Sequence, residues 1–259
     1  MLQARSHLEC SGISTDDSGS SYTQALDTAP KGDQMFMRNL YRKRAYANLT
    51  AKHFDAVLED VLASCSGDSS DSKAYYCAAR ASYELALFEE SKAHFEKAFE
   101  SNPQDLKSRK DYNRAITRIE EKESGKYDLS TMVGSVKPNR VHLDCADFIK
   151  NTSVGTTPTH GRGLFASEFI PAGGLVLVEK ALCLPNLYEG DQASDTVLYN
   201  FNTNARSKRS AQPALFLQLA HKLYNNQNLT ARFFDLDSGK YLRSGEEGEL
   251  IDGVPVIDM

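Results

Sequence analysis

The stretch that decides the fold in the second half of this chain is Thr159-His160-Gly161-Arg162-Gly163-Leu164-Phe165-Ala166. Two glycines flank one arginine, and an apolar run begins directly after them. The next segment, Phe169-Ile170-Pro171-Ala172-Gly173-Gly174, ends in a proline–glycine pattern that is typical of a turn. A short apolar run follows that turn, as expected of a strand. We therefore predict short strands over residues 151–157, 163–167 and 175–184.

The Gly-Arg-Gly triplet also marks a candidate ligand-binding site. Because Gly161 and Gly163 lack a Cβ atom, their backbone can approach a ligand closely and adopt a positive φ. Arg162 between them can pair with a carboxylate. The triplet alone is a turn in most proteins that contain it, so its meaning depends on the residues that follow. We predict no catalytic residue, and since the six histidines show no ligand spacing we expect no metal.

The first half of the chain repeats with a period of 34 residues. This spacing relates Tyr41 to Tyr75, Ala45 to Ala79, Phe54 to Phe88, Val61 to Phe95 and Ser64 to Ala98. The period is that of the tetratricopeptide (TPR) repeat, in which two helices form each unit. Residues 21–28 have the spacing of the end of an earlier repeat, and residues 104–123 suit a capping helix. A plain helical bundle is the alternative.

These patterns predict an α+β multidomain protein. Residues 1–21 are polar and rich in Ser, Gly and Asp, so we predict disorder there. The following domains are TPR repeats with a capping helix over residues 22–123, a linker over 124–139, and a mostly-β domain over 140–259. That last domain is predicted to contain a helical insert, since residues 194–234 have helical periodicity.

Composition excludes several classes of protein. The chain has a net charge of −5 and is 41% hydrophobic and 25% charged, which is ordinary for a globular protein and does not indicate nucleic-acid binding. No run approaches the roughly 18 apolar residues of a membrane span. The five cysteines include no C-x-x-C pair, which favours reduced thiols. We therefore expect an intracellular protein, in the nucleus or the cytoplasm, that contacts neither membrane nor nucleic acid.

The order of residues after Gly161 resembles the opening of a SET domain. Leu164-Phe165-Ala166 follow the triplet directly, and Ile170, Gly173, Val176 and Glu179 come in the same order as in that family. With TPR repeats before it, the chain resembles fungal TPR-repeat SET-domain proteins. The resemblance implies a TPR solenoid followed by a partial, mostly-β SET domain. It also implies a protein lysine methyltransferase that uses S-adenosylmethionine, with Gly161, Arg162 and Gly163 contacting this cofactor mainly through their backbone.

The chain departs from the SET family beyond this opening. It contains no Asn-His pair, and Gly245-Glu246-Glu247-Gly248-Glu249-Leu250 lacks the tyrosine that follows a similar run in the family. We therefore expect a chain truncated before the catalytic half, and inactive by itself. The expected partners are a protein or peptide on the TPR concave face and a protein lysine substrate. The alternative is a TPR interaction module that carries an inert SET remnant.

Overall fold

The structure is a computed structural model that describes residues 15–30, 32–65, 71–137, 142–185, 199–200, 205–206, 211–236, 250–251 and 254–255. The chain divides into two compact units. The larger comprises Met1–Ser135 with Leu143–Lys180, and the smaller comprises Val136–His142 with Ala181–Met259.

The larger unit consists of consecutive helices followed by one β-hairpin. The helices are α1 (Thr15–Thr28), α2 (Gln34–Thr50), α3 (Phe54–Ser64), α4 (Ser72–Glu84), α5 (Phe88–Ser101), α6 (Leu106–Ser124) and α7 (Leu129–Ser135). Strands β1 (Thr152–Thr157) and β2 (Gly161–Ala166) pair antiparallel.

The described part of the smaller unit contains short elements. Two-residue strands β3 (Tyr199–Asn200) and β4 (Ala205–Arg206) pair antiparallel, as do β5 (Leu250–Ile251) and β6 (Val254–Pro255). Between these pairs lie α8 (Ala211–Asn225), a 3-10 turn (Gln227–Leu229) and α9 (Thr230–Phe234). The described residues as a whole are mostly helical with small antiparallel sheets, in line with the α+β class.

Aspartates begin every second helix from α2 to α6. Asp33, Asp71 and Asp105 precede α2, α4 and α6, and each carboxylate accepts hydrogen bonds from backbone N–H groups in the first turn. Such caps satisfy donors that have no partner within the helix. The helices between them, α3 and α5, begin without a side-chain cap. The two kinds of helix therefore alternate along the chain.

The 34-residue period is visible in the backbone of the turns after α2 and α4. Lys52 and Ala86, 34 positions apart, have left-handed φ angles of 64° and 62°. In both turns the next residue's N–H bonds to the carbonyl five positions earlier, from His53 to Asn48 and from Leu87 to Ser82, each at 2.9 Å. This is the Schellman geometry that ends a helix and redirects the chain. Related positions therefore adopt the same backbone conformation.

Small residues pack at the centre of the helical layer. Ala45 and Ala79, which the period relates, are both completely buried. One core cluster joins α2, α3 and α4 through Ala45, Val57, Val61, Ala74, Cys77, Ala78 and Ala81. The buried Ser91 hydroxyl donates to the Ala79 carbonyl at 2.8 Å, which links α5 to α4. Alanine and serine allow such helices to approach closely.

Two helices lie where the sequence predicts irregular structure. Helix α1 begins at Thr15, within the predicted disordered segment, whose residues 1–14 lie outside the described residues. It packs on α2, and Thr23 Oγ1 accepts a hydrogen bond from Arg44 at 3.0 Å. Helix α7 lies within the predicted linker, where the Asp128 carboxylate caps its first turn through the Thr131 N–H at 3.0 Å. Tertiary contact and local capping thus outweigh polar composition.

The predicted strand over residues 175–184 is wrong. In the described residues it is reduced to one antiparallel bridge between Val178 and Phe148. Two backbone groups that could pair with a neighbouring strand are instead bonded to side chains. The Asn151 amide donates to the Leu175 carbonyl at 3.1 Å, and the Asp147 carboxylate accepts from the Lys180 N–H at 2.7 Å. Such side-chain bonds compete with regular pairing.

We expect replacement of Ala86 by glycine to stabilise the protein by about 1 kcal/mol, since glycine has no steric penalty at positive φ. Ala93→Gly is the matched control, because Ala93 is also exposed but lies within α5. That control should destabilise the protein by about 1 kcal/mol. Urea denaturation measures both changes, and a loss of stability in Ala86→Gly would contradict the assigned turn geometry.

Candidate functional site

The hairpin that contains Gly161, Arg162 and Gly163 has a simple register. Thr157 pairs with Gly161, Thr156 with Arg162, and Gly155 with Gly163. The strands predicted over residues 151–157 and 163–167 correspond to β1 and β2, although β2 begins at Gly161 and not at Gly163. Their antiparallel pairing is a finding of the structure. The structure brings all three predicted site residues together on one strand.

Gly161 has a conformational reason to be glycine. Three residues connect the two strands, and Gly161 follows them with φ of 69°. Three-residue hairpin connections commonly end with a left-handed residue. Thr157 holds this turn, since its hydroxyl oxygen accepts from the His160 N–H at 3.0 Å and donates to the Gly161 carbonyl at 3.2 Å. A Cβ atom on Gly161 would have no heavy atom within 4 Å, so the space over this residue is open.

Gly163 has a packing role. It lies opposite Gly155, and the Phe165 ring covers this glycine pair from the same strand as Gly163. A Cβ atom on Gly155 would come within 3.0 Å of the Phe165 ring, and one on Gly163 within 3.3 Å. An aromatic ring over paired glycines compensates for their missing side chains. Phe165 is thereby held on one face of the hairpin.

The opposite face of the hairpin presents Arg162 beside an apolar pair. Val154 and Leu164 pair directly and remain 69% and 54% exposed, and Arg162 is exposed on the same face. No third strand lies beside β2 in the part of the chain that the structure describes. The outer edge of β2 can therefore offer backbone donors and acceptors to a ligand or to another strand.

Residues 143–151, here called the strap, lead into the hairpin and contact the helices. The Asp144 carboxylate accepts from the Tyr83 hydroxyl at 2.6 Å and from Arg114 Nη2 at 2.8 Å, and Arg118 Nη1 lies 3.4 Å away. Tyr83 belongs to α4, and the two arginines belong to α6. One carboxylate thus joins the strap to two helices.

The strap backbone is held next to this carboxylate. The N–H of Ala146 donates to Glu121 Oε2 at 2.9 Å, and its carbonyl accepts from the Tyr127 hydroxyl at 2.9 Å. Cys145, Ala146 and Phe148 are all buried. Ala146 packs in a core cluster with Tyr83, Phe88 and Ala115. The strap is therefore part of the helical core.

Burial and pairing shift the pKa values of this cluster in different directions. Burial acts to raise the pKa of Asp144, but hydrogen bonds from Tyr83 and Arg114 outweigh it and leave the pKa below its ordinary value of 3.8. Burial raises the pKa of Glu121 above its ordinary value, despite the Ala146 N–H and Arg118. Burial, together with the bond to Asp144, also raises the pKa of Tyr83. Asp144 is thus ionised at neutral pH.

A cleft of about 330 Å³ lies elsewhere, between α1, α2 and α3. At its base the buried Asp60 accepts from Arg44 at 2.6 Å and from the Asn48 amide at 2.9 Å. Both carboxylate oxygens therefore have partners within the helices. This network accounts for the buried charge without a ligand.

Sequence reasoning did not find the strap residues. Asp144 follows no recognisable motif, and its partners lie 30 and 61 positions away along the chain. Only packing of the strap against α4 and α6 brings them together. The turn at Pro171–Gly174 was found correctly, with Gly173 at φ of 83° and a 2.8 Å bond from the Gly174 N–H to the Pro171 carbonyl.

The described residues contain neither a helix that could span a membrane nor a cluster of metal ligands. None of the described helices has the length and apolar character needed to cross a membrane. Within the same residues, no three His, Cys, Asp or Glu side chains come together so that they could hold a metal ion.

Comparison with known proteins gives one informative match. A protein of Gibberella zeae described as "Methyltransferase" is 27% identical to the chain over 221 residues. The match covers 84% of this chain but 30% of that protein, so the chain spans about a third of its relative's length. No protein-family model matches the chain, and no solved structure matches it. The description of that protein specifies neither a type of domain nor a substrate.

We expect Gly161→Ala to weaken the hairpin by about 1 kcal/mol, because alanine is strained at left-handed φ. Gly161→Asn should weaken it less, since asparagine tolerates this conformation. Amide exchange of β1 and β2 measures the effect. Equal protection in the wild type and in Gly161→Ala would show that the turn does not need a left-handed residue.

Asp144→Asn should destabilise the protein at neutral pH by about 1 kcal/mol, allowing for the one-third exposure of this side chain. Because the native pKa is lowered, this contribution is present above pH 3.8 and is lost as the pH falls through the native pKa. The free energies of unfolding of the wild type and the variant should therefore converge in acid. A difference that is independent of pH would contradict the role of the ionised carboxylate.

Proposed function

We propose that this chain belongs to a SET-type, S-adenosylmethionine-dependent protein lysine methyltransferase, of which it forms a TPR module and one wall of the cofactor site. One observation carries the proposal. The Gly-Arg-Gly-Leu-Phe-Ala run forms an exposed β-strand that begins at a left-handed glycine, in a chain similar to a protein described as a methyltransferase.

The backbone of the helices supports the TPR assignment. Positions 34 residues apart begin equivalent helices, as Phe54 and Phe88 do, and adopt equivalent turns, as Lys52 and Ala86 do. From α1 to α6, each helix also packs against the next one along the chain. This arrangement is expected of a helical repeat.

The hairpin fits the chemistry of the cofactor. S-adenosylmethionine has a carboxylate, an ammonium group, a ribose and an adenine, and when bound it supplies an electrophilic methyl group. The open space over Gly161 admits a ligand to the backbone, and the Arg162 guanidinium can pair with a carboxylate. We therefore assign Gly161, Arg162 and Gly163 to one side of the cofactor.

The opposite side of the site has no counterpart in this sequence. The Asn-His pair and the tyrosine that complete the pocket in SET domains are not found in it. We therefore propose that the chain by itself contacts the cofactor weakly and transfers no methyl group. The expected partners are a protein or peptide on the helical concave face and a lysine of a protein substrate.

A second candidate function is a TPR interaction module with an inert SET remnant. The observation in its favour is that equivalent left-handed turns recur at Lys52 and Ala86 in the described helices, whereas the hairpin is exposed on both faces. The two candidates differ in whether the hairpin binds the cofactor.

Titration with S-adenosylmethionine, followed by amide resonances in NMR, separates the candidates. We expect shifts at Gly161, Arg162 and Gly163, since the contacts are mainly to the backbone. Arg162→Ala should weaken the effect about tenfold if the arginine pairs with the cofactor carboxylate. Arg232→Ala, in α9, is the matched control. If the hairpin amide resonances do not shift at millimolar S-adenosylmethionine, the cofactor site is excluded and the interaction module is the function that is left.

Methyl transfer should not occur with this chain alone. Incubation with labelled S-adenosylmethionine and histone or total protein tests this expectation. Label transferred to protein above the level of a heat-denatured control would show that the chain holds a complete catalytic site.

A further inference from the structure

We propose that Asp144 is a positioning residue that holds the hairpin in a set orientation on the helices, so that the helical module is a support for the hairpin and not a separately tethered domain. The consequence for the cofactor site rests on the proposed function. The coupling itself does not, because it concerns contacts that are present without a ligand.

Side chains from two helices hold the Asp144 carboxylate. Asp144 receives hydrogen bonds from Tyr83 on α4 and from two nitrogens of Arg114 on α6, at 2.6, 3.1 and 2.8 Å. Arg118 adds a second positive charge at 3.4 Å. A carboxylate bound by donors on two helices has one low-energy position. It therefore determines where the strap lies.

The strap also contacts both ends of the hairpin segment. Going forward, Thr152 begins β1 eight positions after Asp144. Going back, the chain after β2 returns to the strap: the Phe148 N–H donates to the Val178 carbonyl at 2.8 Å, and the Val178 N–H to the Phe148 carbonyl at 3.0 Å. The Ser167 N–H also donates to the Asn151 carbonyl at 2.9 Å. The strap thus holds the segment at its entry and at its exit.

The end of α6 and the strap have complementary shapes. Gly125, which ends α6 with φ of 64°, lies against the strap. A Cβ atom on it would come within 2.9 Å of the Phe148 ring and 3.1 Å of Leu175. The strap and its return segment therefore fit the end of α6 closely. Contacts of this kind leave little freedom for the hairpin to move relative to the helices.

Native-state hydrogen exchange in the full chain tests the proposal. Asp144→Asn should lower the protection of the β1 and β2 amides about tenfold, whereas the amides of α2 and α3 should lose no more than the roughly fivefold that a loss of about 1 kcal/mol in global stability produces. Glu89→Gln is the matched control, because it also removes one negative charge that is paired with a cation of α6. Its carboxylate is 53% exposed and pairs with Lys122 at 2.9 Å, away from the strap residues. The control should leave hairpin exchange unchanged.

A milder variant tests the same contact in case Asp144→Asn does not fold. Tyr83→Phe keeps the ring in the core and removes one of the bonds to Asp144, so it should lower hairpin protection about threefold. The comparison between hairpin and helices separates positioning from general destabilisation. A loss of protection that is equal in the hairpin and in α2 and α3 would overturn the proposal, as would unchanged hairpin exchange in Asp144→Asn.

The outcome is independent of the cofactor experiment. If hairpin amides shift with S-adenosylmethionine but do not depend on Asp144, the positioning role fails and the proposed function stands. If they depend on Asp144 but do not respond to the cofactor, the coupling stands and the cofactor site fails.

Discussion

The position of the strap and the hairpin on the helices depends on the bonds made by the Asp144 carboxylate. A partly buried charge is costly unless donors surround it, and here a tyrosine hydroxyl and an arginine side chain donate to it while a second arginine lies close. These donors come from α4 and α6. The strap can therefore lie in its place only when both helices are formed and packed.

This dependence explains how a two-stranded hairpin persists with both faces exposed. An isolated hairpin is marginally stable in water. Val154 and Leu164 gain little burial on one face, and Phe165 is 44% exposed on the other. The hairpin is instead anchored at its base, where the buried Phe148 and its bridge to Val178 belong to the helical unit. Stability thus comes from the strap, which leaves the strands themselves accessible.

The helices supply that anchor because their packing repeats. Equivalent Schellman turns at Lys52 and Ala86 redirect the chain in the same way after α2 and α4, and buried alanines let the helices approach closely. Helix α6 ends at Gly125, and α7, which begins at Leu129, does not pack on it as closely as α6 packs on α5. Its inner surface, with Ala115 and Glu121, is covered by the strap at Ala146. The strap thereby takes the place of a cap.

Sequence by itself determined the helical period, the turn at Pro171–Gly174 and the presence of strands close to residues 152–157 and 161–166. These features are local: each depends on residues a few positions apart, or on a repeat that the side chains display directly. Tertiary structure alone decided that α1 forms within a stretch of polar composition, and that residues 175–180 bond to strap side chains and not to a strand. It alone also brought Asp144 to Tyr83 and Arg114, because a contact between residues 30 to 61 positions apart leaves no pattern in one sequence.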